Sequence, residues 1–145
     1  MTKQEYYIKI AEAVSLKSKC LKKHYGAVIV NDDVVIATGF NGTCRQELEC
    51  IKCTKISANK DEAEYSTCPA VHAEMNAIIS ASRKEMLGSI LYLAGYDVDK
   101  QEYINACPCE ICLRLIKNAG INQVVNSSGI IYKRNDKGIL EKCLR

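Results

Sequence analysis

The chain has 145 residues, 48% of them hydrophobic and 26% charged, with 8 glycines, 2 prolines and a formal net charge of +3. These figures fit a single globular domain over 1–145 and exclude collagen-like, low-complexity and disordered chains. A charge so near balance argues against a nucleic-acid surface, and short apolar runs behind a polar start, Met1 to Ile10, predict neither a membrane span nor a targeting segment.

Taken in chain order, Thr2 is placed to cap a helix over about Lys3 to Ser18, because Tyr6, Ile10, Ala13 and Val14 recur at three- and four-residue spacing. Gly26 to Val30, the turn residues Asn31-Asp32-Asp33 and Val34 to Gly39 read as a β-hairpin, so apolar throughout that both faces should be covered. Residues 41 to 71 are polar and without sustained period but hold four cysteines, so this insert needs an outside constraint, for which a metal is the candidate. From Val71 onward His72, Met75, Asn76 and Ile79 follow the helical period, and Gly88 closes the segment. Ser89 to Ala94 reads as a strand. Pro108 opens a helix with Cys109, Cys112, Leu113 and Ile116 on one face, and Gly120 stops it. Asn122 to Asn126 and Ile130 to Tyr132 read as further strands, and Lys137 to Leu144 as a short helix. This alternation predicts an α/β protein, a three-layer α/β/α sandwich around a five-stranded mixed, mainly parallel sheet.

Two helix starts carry the chemistry: His72-Ala73-Glu74 and Pro108-Cys109-Glu110-Ile111-Cys112. Cysteines at i and i+3 of a helix start aim both sulfurs one way, and the positive end of the helix dipole favours their thiolates. With His72, Cys109 and Cys112 make three ligands, the arrangement of a catalytic zinc with an open fourth position. Such an ion, formally neutralised by two thiolates, lowers the pKa of a bound water toward ~7. Glu74, two residues from the histidine, is placed to take that water's proton and return it elsewhere, as general acid and base. The nine cysteines, an odd number with no secretory signal, favour metal ligation in a reducing compartment, the cytoplasm by default.

His-x-Glu with Pro-Cys-x-x-Cys is the signature of the zinc deaminases. The sequence resembles the cytidine and deoxycytidylate deaminase family over roughly residues 5 to 132. Gly26-Ala27-Val28-Ile29-Val30, Thr38-Gly39-Phe40-Asn41-Gly42, Val71 to Ile78 and Asn118-Ala119-Gly120-Ile121 make it most similar to the deoxycytidylate branch. The resemblance implies a cytidine deaminase-like fold and zinc-dependent hydrolysis of dCMP to dUMP and ammonia, supplying dUMP for thymidylate synthesis. It also implies a homo-oligomer, commonly a hexamer, with dCTP (with Mg2+) and dTTP as effectors. The nearest rivals are a nucleoside deaminase and a tRNA adenosine deaminase, which would want a basic groove. A zinc-stabilised module without turnover would leave Glu74 no reason to sit opposite an open zinc position.

Cys50-Ile-Lys-Cys53 has the spacing of a zinc knuckle, and Cys68 follows just before the catalytic helix. Three thiolates require a fourth ligand. Cys44 is nearest in sequence, whereas the resemblance implies Cys20 at the end of the first helix, with Cys44 and His24 as substitutes. This second, structural zinc would fold the 41 to 71 insert; Cys107 and Cys143 read as packed small hydrophobes. Asn41, in a glycine-flanked turn, either serves turn geometry alone or, as the resemblance implies, pairs with a sugar hydroxyl. By the same resemblance backbone at Ala73 and Pro108 touches the base edge, and Arg45, at the family's arginine position, is a candidate partner of the 5′-phosphate. Tyr132, with Lys133 and Arg134, lies near the strand ends where such sheets bind ligands and is the other candidate.

Overall fold

The computed structural model describes residues 1–54 and 67–143; residues 55–66 of the insert, and Leu144 at the end of the expected terminal helix, lie outside the described residues. Thr2 and Glu5 form a capping box on α1 (Lys3–Ser15), whose last turn tightens through Leu16–Ala13, Lys17–Val14 and Ser18–Ser15 backbone bonds. Regular α-helix therefore stops three residues before the expected end. The hairpin forms as β1 (Lys23–Asn31) and β2 (Val34–Phe40), antiparallel with a bulge between Ile29 and Val30. Next come α2 (Ala73–Ile79), a single turn α3 (Arg83–Met86), β3 (Ile90–Asp97), β4 (Glu102–Ile104), α4 (Glu110–Ala119), β5 (Gln123–Asn126), β6 (Gly129–Arg134) and β7 (Leu140–Lys142).

The sheet has seven strands, not five, in the order β2-β1-β3-β5-β6-β7, with β4 also on β3. Only β3 and β5 run parallel among the described pairs, so the expected mixed sheet is more antiparallel than the alternation suggested. β1 takes the whole of one edge of β3, while β5 pairs with Ile90 to Tyr92 and β4 with Gly95 to Asp97 on the other. Both extra strands follow turns. Asp97 Oδ1 accepts from the N–H groups of Asp99 and Lys100 before β4, and Asn135 Oδ1 accepts from Lys137 and Ile139 before β7. The second turn corrects the helix expected over Lys137 to Leu144: Asn135-Asp136-Lys137-Gly138 closes a hairpin that puts Leu140 into the core.

Strand alternation splits the core into two layers. Val28, Val30, Tyr92, Ala94 and Val125 pack under Tyr7, Ile8 and Ala11 of α1. Their neighbours Ala27, Ile29, Leu91, Leu93 and Val124 pack under Ala73 and Ala77 of α2 and Ile116 and Ala119 of α4. The expected α/β/α sandwich is therefore present. Two glycines set its spacing: a Cβ on Gly26 would strike backbone atoms of Ala11 and Ser15 in α1, and one on Gly39 those of Ala73, Asn76 and Ala77 in α2. The second contact seats the helix that carries His72 and Glu74.

Candidate active site

His72 is the N-cap of α2, with extended backbone (φ −74°, ψ 155°) and no side-chain capping bond, so its imidazole is not spent on the helix end. Cys109 is the N-cap of α4, and its Sγ accepts from the N–H of Cys112 at 3.4 Å. The two helix starts converge. His72 Nδ1 lies 3.4 Å from Cys109 Sγ and 3.3 Å from Cys112 Sγ, and the three donor atoms fall within 4.8 Å of one another. Burial first, then the neighbouring Glu74 and Cys109, push the Cys112 thiol far up. A divalent cation is the group that reverses such a preference, and one imidazole with two thiols is a donor set that suits zinc.

Glu74 is 5% exposed, on the first turn of α2, and shares a hydrogen bond with Cys112. Burial lifts its carboxyl above the usual carboxylate range, opposed by its own backbone N–H and by Cys112. Nearly all of it is removed from water, yet it borders a cavity of about 250 Å3 together with His72 and Cys109.

Asn41 lines the same cavity and is held from several sides. Its Oδ1 accepts from Tyr25 N (2.8 Å), and its Nδ2 donates to Lys23 O (3.0 Å). Its carbonyl accepts from Ser18 Oγ (2.9 Å), while Asn76 Nδ2 donates to Phe40 O (2.8 Å). The reciprocal Gly42 and Val71 backbone bonds (3.1 and 2.7 Å) then bring this turn beside the start of α2. The amide thus does the turn work, and it retains one Nδ2 hydrogen and one Oδ1 lone pair for a further partner.

Of the other expected residues, Ala73 is fully buried and Pro108 half-buried beside the trio. Arg45 is exposed on the insert and Tyr132 packs against the core from β6; neither lines the cavity. Lys22, Lys23, Tyr25 and Cys107 do. Little in the sequence singles these out, because the Asn41 bonds and the pairing of β1 with β3 bring the start of β1 to the site; the sole signal is that Lys23 and Tyr25 share a strand face with Ala27. Cys20, Cys50, Cys53 and Cys68 surround a smaller cavity of about 40 Å3, whereas Cys44 lies outside it. His24 Nε2 is engaged with Cys20 O at 2.9 Å, its ring stacked on Tyr96. The quartet is wider than the first trio, which is the one group of three or more metal-type donors within 4.8 Å among the described residues. Cys143 is half-buried and Cys107 exposed, so the packed reading does not suit Cys107.

Residues 1–128 match the family described as the cytidine and deoxycytidylate deaminase zinc-binding region. A deoxycytidylate deaminase of Saccharomyces cerevisiae is 36% identical over 124 residues, 84% of this chain and 36% of that protein, so the chain spans little more than a third of it. The deoxycytidylate deaminase of Mycobacterium phage D29 is 34% identical over 127 residues, 83% of this chain and 91% of that one. Among solved structures, the dCMP deaminase of cyanophage S-TIM5 in complex with dCMP and dUMP aligns with a TM-score of 0.65 at 26% identity, covering 85% of this chain and 79% of that one. With the match spanning both helix starts and the sheet between them, this chain belongs to the cytidine and deoxycytidylate deaminase family.

Proposed function

We propose that the protein hydrolyses dCMP to dUMP and ammonia. The observation that carries this is the buried Glu74 carboxyl beside three converging soft donors, His72, Cys109 and Cys112, at one wall of a cavity that also holds Asn41. The names of the yeast and phage relatives, and of the cyanophage complex, support dCMP as the substrate.

In this reading His72, Cys109 and Cys112 would hold a zinc ion, which would supply the Lewis acidity that makes water a nucleophile toward C4 of the base. The Glu74 carboxylate takes a proton from the attacking water and gives it to N3 of the ring, then takes the remaining proton of the hydroxyl on C4 and gives it to the amine as the C4–N bond breaks, so one water enters and one ammonia leaves. Its burial suits the task, since lifting a carboxyl above the usual carboxylate range favours a group that must take up a proton as well as give it away. Asn41 orients the sugar with its spare amide valences, and backbone at Ala73 and Pro108 borders the base.

Cys20, Cys50, Cys53 and Cys68 would hold a second, structural zinc; their shared cavity and the engagement of His24 with the Cys20 carbonyl favour Cys20 over the substitutes. The free state of all nine cysteines suits a reducing compartment, the cytoplasm, and no described helix is long and apolar enough to cross a membrane. In the same reading copies of this single-domain chain assemble as a homo-oligomer, with dCTP, Mg2+ and dTTP as the effectors to test.

Glu74→Gln should keep its zinc and fold but lose turnover by at least ~10²–10⁴-fold, the usual contribution of general acid–base work. Ammonia release from dCMP checks the rate and elemental analysis the metal. Near-normal kinetics, or loss of zinc in the variant, overturns the assignment.

A further inference from the structure

We propose that Asn41-Gly42 is a latent self-modification site: when the backbone bridge between Gly42 and Val71 opens, the chain converts its own Asn41 to aspartate or isoaspartate and disables the cavity. Asn41 is the one asparagine of the sequence followed by a glycine. Asparagine is a thermolabile residue, and a glycine after it leaves no Cβ in the way of ring closure. The Gly42 nitrogen, its proton taken by hydroxide, bonds to Asn41 Cγ, and the Cγ–Nδ2 bond breaks to release ammonia. Water that then cleaves the new Cγ–N bond leaves aspartate. Water that cleaves the original peptide bond leaves isoaspartate, with the main chain rerouted through the side chain. By either route one water enters and one ammonia leaves, and no oxidant or reductant is needed.

The folded chain withholds each thing this reaction needs. Asn41 is 6% exposed, which keeps hydroxide and water from it. Its Oδ1 accepts from Tyr25 N (2.8 Å) and its Nδ2 donates to Lys23 O (3.0 Å), so the amide carbon is held between two bonds to β1 and the leaving nitrogen stays engaged. The proton that must leave Gly42 is donated to Val71 O (3.1 Å), and Val71 N donates back to Gly42 O (2.7 Å). That last protection is the weak one. The pair is an isolated bridge outside the named strands, at the two ends of the cysteine-bearing insert. A Cβ on Gly42 would meet nothing within 4 Å among the described residues, so no packing against that side resists opening. Two hydrogen bonds of this kind break by local opening, without unfolding of the sheet.

The test incubates the full zinc-loaded chain at mildly alkaline pH across a series of urea concentrations, digests it under mildly acidic conditions, and locates the gain of one mass unit by mass spectrometry. In full denaturant Asn41 should be modified at least ~10-fold faster than in the native chain, and urea too dilute to change the circular dichroism should already raise the rate, as local opening requires. Gly42→Ala, which keeps its backbone bonds, should slow the reaction in full denaturant by ~10-fold or more, because a Cβ then obstructs ring closure. Asn41→Asp stands in for the product. It sets a carboxylate oxygen against Lys23 O, and kcat/KM for dCMP should fall at least ~10-fold. This last arm rests on the dCMP reading above, whereas the chemistry does not. No mass gain at Asn41 in full denaturant, a native rate equal to the denatured one, or a rate that rises only with global unfolding overturns the inference, as do native kinetics in Asn41→Asp. A native enzyme inactive on dCMP overturns the dCMP reading instead, an outcome seen before any variant is made and independent of the mass readout.

Discussion

At the scale of single residues, Tyr7 shows how one hydroxyl holds an unusual turn. Asp32 and Asp33 both have positive φ (50° and 61°), the geometry of a two-residue hairpin loop that usually recruits Asn-Gly. The Tyr7 hydroxyl lies 2.7 Å from Asp33 Oδ1 and 2.9 Å from its carbonyl, fixing the loop to α1. The bond holds the Asp33 carboxyl below its usual range and pushes the Tyr7 phenol up to about 12. The lowered acid contributes stability above its unfolded value near ~4 that is lost as pH falls through the folded value. The raised phenol contributes stability below about 10 that is lost as pH rises through about 12. Tyr7→Phe should therefore melt lower than the native chain by a gap that is flat from about pH 5 to 9 and closes toward both ends. Thermal melts across pH check this, and a gap persisting undiminished at pH 3 would count against the bond.

At the scale of elements, Gly26 and Gly39 put helix backbone directly on strand backbone. A methyl at Gly26 meets Ala11 O and Ser15 N, and no side-chain rotation relieves a clash with main chain. Gly26→Ala should cost at least about 1–3 kcal/mol, read by denaturant unfolding. Gly42, with open space where a methyl would stand, is the control and should tolerate alanine far better. The same contrast explains what the sequence reveals. His72, Glu74, Cys109 and Cys112 are legible because two short motifs at helix starts fix their own local geometry, and the apolar runs of β1 and β2 show their period without help from the rest of the chain. β4 and β7 are not, since each is three residues long and owes its existence to a turn and an edge to pair with. Lys23 and Tyr25 escape notice for a related reason: they are held at the cavity by Asn41, sixteen or more residues away in the chain, and by the pairing of β1 with the still more distant β3.

At the scale of the whole molecule, the two cysteine groups meet. Cys20, Cys53 and Cys68 line both the small thiol cavity and the larger one that holds Glu74 and Asn41, so the proposed structural metal stands behind the wall of the proposed substrate site. Burial, then the neighbouring Cys20, Cys68 and Cys53, raises the Cys50 thiol, a preference that a cation held among the four sulfurs would reverse. Two zinc ions per chain are therefore expected, and the two groups should fail differently. Cys112→Ala removes a ligand from the site that faces substrate, abolishing turnover while the insert metal remains. Cys53→Ala should remove a ligand from the proposed second site, leaving one zinc, a lower melting temperature and a higher KM, because the shared wall would lose its support. Elemental analysis with melts and kinetics on both variants separates these phenotypes. A fully active preparation holding one zinc per chain, or a Cys53→Ala enzyme that keeps two zinc ions and the native melting temperature, would show that the quartet is a cluster of free thiols and not a metal site.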